Sequence, residues 1–297
     1  MKTIPVALQG HYNGSTQTVT RMLRITRKDG VVFTFTDHDT DLKYGNEVYG
    51  SALGYTSKNI TSGSALQADN LNVLGFLESP SITEEDLRLG FWNYADFTLF
   101  EINWENVGNG IRHLRDGTFG EITSHRGYFE TELRGLMQHY ITPLLRVTAR
   151  ECDADLGNAR CKIMLGAPGD SPTGDWVVAG VVDYSTSGRV IFDDNRTESD
   201  NWFTGGLLTF TSGLNNGYSV EIKVSDFNSG DPRIELFVPA PFEITPGDTY
   251  TAQAGCTKRF KEDCIGKFNN GINFRGFPHV PLSDTYQYGG EYGKVQP

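Results

Sequence analysis

The stretch that decides the fold is "CDADLGNARC", residues 152–161, which begins and ends with a cysteine. A second stretch, "CTKRFKEDC" at residues 256–264, has the same form, and the two hold all four cysteines of the 297-residue chain. Residues 162–255 separate them. If all four thiols share one site, two segments far apart in sequence must meet in space.

The composition is that of a globular protein with many turns. Hydrophobic residues make up 38%, aromatic residues 12%, and there are 34 glycines, which excludes disorder, collagen and coiled coils. No apolar run reaches the roughly 20 residues of a membrane span, and the first 20 residues do not read as a secretory signal. We therefore expect synthesis in a cytosol, with no direct membrane span.

Short apolar runs separated by turn residues predict a mainly β fold with few short helices. Apolar and polar residues alternate in "DGVVFTFTDHD" (29–39) and "YADFTLFEINW" (94–104), the pattern of half-buried strands. Residues 112–140 read as strand, turn, strand and then a short helix near Leu133 to Tyr140. Ser81 and Glu84 fit a capping box that starts an earlier helix.

The segment between the cysteine pairs is acidic and β-rich. Acidic residues outnumber basic ones several-fold there, and the segment carries most of the net charge of −11. Its short strands predict a small β-barrel or sandwich; they are "WVVAGVVDY", "RVIFDD", "LLTFTSG", "YSVEIKVSDF" and "RIELFVPAPF". The acidic charge argues against a nucleic-acid clamp. Asp and Asn furnish β-turns and solvated surface here, or else the acidic surface lets DNA slide past without sticking.

These patterns predict three regions. An N-terminal β-rich domain covers residues 1–150, a cysteine region covers 151–170 and 251–297, and the acidic β-module covers 171–250.

The residues alone leave three interpretations of the cysteines open. They form disulfides or unrelated buried thiols, although a reducing cytosol disfavours disulfides. They bind zinc, although zinc knuckles usually place about two to four residues between ligands. They bind a [4Fe–4S] cluster, whose larger size suits the longer loops, although neither spacing matches a ferredoxin signature.

Two cysteine blocks and several flanking motifs carry a family resemblance. "CDADLGNARC" followed by "CTKRFKEDCIGKFNNGINFRGFPHVP" (256–281) resembles the signature of phage baseplate hub and tail tip proteins. These include the hub protein of gene transfer agents and, more distantly, the tail tip protein L of lambda-like siphophages. The resemblance extends to "FTFTDHDTDL" (33–42), "GTFGEI" (117–122) and "FETELRGLMQ" (129–138) and is weakest in the acidic module.

The resemblance implies a non-enzymatic structural protein of the virion, assembled in the cytoplasm of the bacterial host. It implies a homotrimer at the tip of a long non-contractile tail, between the distal tail protein ring and the central tail tip or fibre protein, with DNA only in transit through the lumen. It also implies a [4Fe–4S] cluster, with zinc the lesser alternative, on four ligands: Cys152, Cys161, Cys256 and Cys264. The cluster would fix the two cysteine segments together, with Phe268, Phe274 and Phe277 packed locally.

Two functional alternatives remain beside this one. An iron–sulfur or zinc-binding redox enzyme would also need the cysteines, but the sequence has no GxGxxG or GxxxxGK[ST] fingerprint. "DHDTD" (37–41) has the residue types of an acid/base or metal cluster; we interpret it as a strand end with Asx hydrogen bonds.

Overall fold

The computed structural model describes residues 3–51, 56–57, 70–76, 82–125, 128–135, 145–167, 176–227 and 232–280. The chain divides into two compact units, residues 1–144 and 145–297. The finer division of the second unit remains a prediction. Strands dominate both units, which confirms the mainly β class. No helix in the described ranges has the length and apolar character needed to cross a membrane.

The N-terminal unit is built on one nine-stranded sheet in the order β3-β4-β2-β1-β7-β8-β9-β6-β5. Its strands are β1 (Val19–Thr26), β2 (Val32–Thr36), β3 (Leu42–Tyr44), β4 (Glu47–Ser51), β5 (Thr56–Ser57), β6 (Asn70–Phe76), β7 (Asp96–Asn103), β8 (Ile111–His125) and β9 (Tyr128–Gly135). Neighbouring strands are antiparallel except β2 and β4. Two short α-helices, α1 (Val6–Tyr12) and α2 (Glu84–Arg88), and a 3-10 helix (Val107–Asn109) accompany the sheet.

Strand β7 is buried on both faces, which explains its apolar sequence. Phe97 and Leu99 belong to one core cluster, with Trp92 and others, while Phe100 and Ile102 belong to a second cluster. Because side chains alternate along a strand, the two clusters lie on opposite faces of the sheet.

Two local predictions in this unit need correction. The helix predicted near Leu133 to Tyr140 is wrong at its start, because Leu133 is fully buried within β9, which pairs with β6 and β8; residues 136–140 lie outside the described ranges. Helix α2 is confirmed, but its N-cap is Thr83, whose hydroxyl accepts a hydrogen bond from the Asp86 N–H at 3.2 Å. Ser81 lies outside the described residues.

The C-terminal unit contains a seven-stranded sheet in the order β10-β16-β13-β14-β15-β12-β11. Its strands are β10 (Val177–Val181), β11 (Tyr184–Thr186), β12 (Val190–Phe192), β13 (Leu207–Phe210), β14 (Ser219–Asp226), β15 (Arg233–Leu236) and β16 (Thr249–Gln253). The strands at the two ends of this order are joined by only Val182 and Asp183. The Val182 N–H bonds to the Asp248 carbonyl, on the β16 side, and the Asp183 N–H bonds to the Phe192 carbonyl of β12. The sheet therefore curls back on itself as a barrel-like module.

All five strands predicted in the acidic segment are present, but β11 and β16 were missed. Strand β16 reads "TYTAQ", so its buried side is only Tyr250 and Ala252, both with no exposed surface. The Tyr250 hydroxyl donates to the buried carboxylate of Asp193 at 2.7 Å. A buried face of one aromatic and one small residue gives too weak an alternation to be recognised.

The barrel-like core yields a direct test on strand β13. Leu208 is fully buried, whereas its neighbour Leu207 is 38% exposed on the other face. We expect Leu208→Ala to lower the free energy of unfolding by about 2–5 kcal/mol, while the control Leu207→Ala changes it by no more than about 1 kcal/mol. Denaturant unfolding of the full chain measures both; equal losses would contradict the assigned faces.

Candidate functional site

The pairing of β10 with β16 brings the two cysteine segments together. These strands are antiparallel, with Val177 opposite Gln253, and the Ala254 N–H bonds to the Trp176 carbonyl at 2.6 Å. The chain therefore enters and leaves the barrel-like module at the same place. The segments that precede and follow it share one end of the module.

The structure places all four cysteines in this region as free thiols. Cys152, Cys161 and Cys256 belong to one small apolar cluster with the Trp176 and Phe268 rings. The fourth, Cys264, lies in a π-helix (Phe260–Lys267) and is within electrostatic range of the other three thiols. The structure thus brings the two cysteine pairs close together, as the sequence analysis predicted. That they bind a metal remains a prediction.

Hydrogen bonds join the two segments directly. The Cys152 N–H donates to the Lys258 carbonyl at 2.9 Å, and the Lys258 ammonium donates to the Ala154 carbonyl and to Asp155. On the other side, the Asn270 amide donates to the Cys161 carbonyl at 2.7 Å. Each cysteine segment is therefore held by the other through main-chain groups.

Two sulfur atoms accept hydrogen bonds from nitrogen. The Asn270 side-chain amide lies 3.8 Å from the Cys161 sulfur, and the Lys258 backbone N–H bonds to the Cys256 sulfur. Lys258 adopts a left-handed backbone conformation, with φ of 66°, as does Lys162, with φ of 63°. This conformation is rare outside glycine. N–H donors favour the thiolate form and orient it as a ligand.

Burial opposes that thiolate form. It raises the pKa of the Cys256 thiol, and it raises the pKa of Cys264 to about 12, an effect strengthened by the charges of the other three cysteines. Close, partly buried thiols stay neutral unless a cation balances them. A bound metal would supply that charge and displace the protons, because the ligand is the thiolate.

The nearby carboxylates are engaged elsewhere. Asp153 accepts hydrogen bonds from Arg146 and Arg160, and Asp263 accepts them from the Thr257 hydroxyl and the Arg259 N–H. The donor atoms at this site are therefore four sulfurs, the ligand type of both zinc centres and iron–sulfur clusters. Among the described residues, no group of three or more His, Cys, Asp or Glu side chains is arranged to hold a single metal ion.

One lysine beside the cysteines was missed by sequence reasoning. The Lys267 ammonium, at the end of the π-helix, donates to the Gly255 carbonyl at 2.8 Å and to the Trp202 carbonyl. It lies 4.6 Å from the centre of the Trp202 ring and 5.3 Å from that of Phe268. Burial lowers the pKa of Lys267 to about 8, although Asp263 and Cys256 act in the opposite direction. Lys267 lies outside the two cysteine-to-cysteine stretches, residues 152–161 and 256–264, so no ligand spacing marks it.

The "NFRGFPHVP" block (273–281) is attached to the first cysteine segment. The Phe277 N–H bonds to the Ala149 carbonyl at 2.9 Å, and the Arg150 guanidinium donates to the Val280 carbonyl at 2.7 Å. A side chain at Gly276 would overlap the carbonyl oxygens of Arg150 and Glu151, so this close approach requires glycine.

The three phenylalanines predicted to pack locally differ in their surroundings. The Phe268 ring lies 5.0 Å from Trp176, and the Phe274 ring lies 4.8 Å from Phe260. Local packing is confirmed for these two. Phe277 is 44% exposed.

The "DHDTD" motif follows the end of β2, as predicted, but two of its aspartates bond to distant backbone groups rather than forming the local Asx hydrogen bonds that we expected. Asp37 accepts a hydrogen bond from the Arg21 N–H at 2.7 Å, and Asp41 accepts one from the Ser51 N–H at 2.8 Å. His38 accepts one from the Thr40 N–H at 3.1 Å, and its ring lies 4.9 Å from that of Trp104.

Comparison with known proteins gives a consistent picture. The family model for the baseplate hub protein, N-terminal attachment domain, matches residues 5–164, just over half of the chain. A second model, phage conserved hypothetical protein BR0599, matches residues 201–284. A chain in the solved virion of a native gene transfer agent particle is similar, with 28% identity and a TM-score of 0.83, over 99% of this chain and 98% of that one. No curated protein matches.

The attachment at Gly276 gives a prediction for the site. Gly276→Ala places a methyl group against backbone atoms, which cannot yield as a flexible side chain does. We expect it to lower the free energy of unfolding by about 1–3 kcal/mol and to speed the reaction of the metal-free thiols with a disulfide reagent.

The matched control is Gly271→Ala. Its added methyl group comes closest, at 3.1 Å, to the half-exposed Ile265 side chain, which can move, and it meets the Phe260 ring only at an ordinary contact distance of 3.6 Å. If the thiols of both variants react with the disulfide reagent at the wild-type rate, the "NFRGFPHVP" block does not hold the first cysteine segment in place.

Proposed function

The chain belongs to the baseplate hub protein family, and we propose that it is the structural hub at the tip of a long non-contractile tail, stabilised by a [4Fe–4S] cluster. The protein is a component of the virion, in its tail or baseplate. The observation that carries the proposal is the similarity to a gene transfer agent virion chain over nearly the full length of both proteins. A match of this extent includes both compact units and the cysteine region.

The proposed partners follow from the place of such a hub. Three copies would form a ring between the distal tail protein ring and the central tip protein. Each copy contributes two β-rich units, so a trimer would present six units to a hexameric tail ring. A threefold hub could then match the sixfold symmetry of that ring. DNA would meet the protein only in transit through the lumen.

The four cysteines would hold the cluster. When bound, the cluster would supply four iron–thiolate bonds that tie residues 152–161 to residues 256–264. The chain's own contribution is to bring these segments together through β10 and β16, to donate N–H groups to two sulfurs, and to surround the site with Trp176 and Phe268. Ligation by four cysteines leaves no open iron position for a substrate, which favours a structural over an enzymatic role.

The metal proposal is tested on protein purified without oxygen. We expect about four iron atoms per chain and the visible absorbance of an iron–sulfur cluster. Cys161→Ala and Cys264→Ala should lose the metal and about 4 kcal/mol of unfolding free energy, the contribution of a ligand present at about a thousand times its Kd. If the purified protein contains about one zinc ion per chain and no iron, the proposed cluster is wrong and the site is a zinc centre. Fast, reversible redox turnover would favour the redox-enzyme alternative.

Met164→Ala is the matched control, because Met164 carries the half-exposed sulfur closest in sequence to Cys161. It should keep the wild-type metal content and stability. Full metal content in both cysteine variants would remove the four-cysteine site from the proposal.

The hub role is tested by assembly. Light scattering of the purified chain, alone and with the distal tail protein of the same particle, should give a trimer, or a trimer bound to the ring. Particles made without this chain should lack the structure beyond the distal tail ring. Complete, infective or DNA-delivering particles without the chain would contradict the proposal.

A further inference from the structure

Lys267 carries a positive charge that no carboxylate neutralises directly. Within the described part of the chain its ammonium donates to the Trp202 and Gly255 carbonyls and makes no ion pair with Asp or Glu. Asp263 acts on it only from beyond ion-pair distance, and the Asp263 Oδ2 atom accepts hydrogen bonds from the Thr257 hydroxyl and the Arg259 N–H. Taking a charge partly out of water costs free energy unless a countercharge is near.

The neighbouring cations differ in this respect. Arg160 forms an ion pair with Asp153, and Lys258 forms one with Asp155 at 3.2 Å. Asp153 lies in the same cysteine segment as Arg160, whereas Asp155 lies in the segment opposite Lys258. Both charges are therefore balanced by nearby carboxylates. Lys267 is thus a half-buried cation beside the cysteines that has no such carboxylate partner among the described residues.

The contacts of the Lys267 ammonium indicate that the balancing negative charge comes from the cysteines. The Gly255 carbonyl that binds the ammonium immediately precedes Cys256, and a negative charge on Cys256 acts on Lys267. Trp202 and Phe268, whose rings contact the ammonium, belong to the apolar cluster that contains three of the cysteines. Four thiolates with zinc or with a cubane cluster carry a net negative charge.

We propose that Lys267 is the counter-ion of the four-thiolate centre, and that it also positions Cys256 through the Gly255 carbonyl. This inference rests on the proposed metal centre. The low-dielectric surroundings of the two rings strengthen the attraction between the ammonium and the thiolates. The same hydrogen bonds fix the end of the chain segment that presents Cys256.

The test compares Lys267→Met with Lys267→Arg in the full chain, loaded with metal under anaerobic conditions. A positive charge favours the reduced, more negative cluster. Lys267→Met should therefore shift the equilibrium between reduced and oxidised cluster at least tenfold toward the oxidised form, a fall of about 59 mV in midpoint potential for one electron. Lys267→Arg should restore most of the wild-type value.

Lys261→Met is the matched control, because Lys261 lies in the same π-helix with an exposed side chain. It should leave the potential unchanged. If Lys267→Met does not fold, Lys267→Gln replaces it, since the amide keeps a hydrogen-bond donor without the charge. If the bound metal is zinc, competition with a chelator replaces the potential, and the expected result is at least tenfold weaker binding.

The outcomes separate this inference from the proposed function. A metal-loaded wild type with unchanged potential and affinity in Lys267→Met overturns the counter-ion role and leaves the metal centre intact. If Lys267→Met instead loses the same thermal stability with and without metal, while potential and affinity stay unchanged, Lys267 stabilises the fold and is not the counter-ion of the metal centre. A wild type that binds no metal overturns both proposals.

Discussion

The structure of the C-terminal unit depends on the antiparallel pairing of its first and last strands. Because β10 and β16 are neighbours, the barrel-like module begins and ends at one place, and the two cysteine segments meet there whatever the module's other strands do. The bond between the Ala254 N–H and the Trp176 carbonyl extends this pairing toward Cys256. Every further contact between the segments, including that of Asn270 with Cys161, presupposes this closure.

The sequence predicted strands best where apolar residues alternate strongly. Strands β7, β13, β14 and β15 have branched or aromatic residues at every second position, which forms a buried face, so period two is clear. Strand β16 was missed because its outward residues are Thr249, Thr251 and Gln253 and its buried face ends in alanine. The strand that closes the module is therefore the one whose own sequence shows it least.

The sequence likewise predicted some features of the candidate site and not others. Residue type and spacing identified the four cysteines, since sulfur ligands are rare and easily recognised. Their convergence depends on a pairing between residues far apart in sequence, which no local pattern encodes. The role of Lys267 was equally hidden, because it depends on which carbonyls and rings surround its ammonium. The charges that the sequence did point to, Arg160 and Lys258, are balanced by adjacent carboxylates.

The cysteine region has little regular structure to support it. Residues 145–167 contain no helix or strand, and residues 254–280 contain only a π-helix and one 3-10 turn. Ordering such segments costs about 1–2 kcal/mol of backbone entropy per residue, while the apolar cluster around Trp176 and Phe268 is small. Hydrogen bonds between the segments offset part of this cost, but each contributes only about 1 kcal/mol net. A metal bound by all four thiolates, as proposed, would act on the same segments and would add its binding free energy to folding. A baseplate hub protein therefore has a physical reason to keep its four cysteines where regular structure is thinnest.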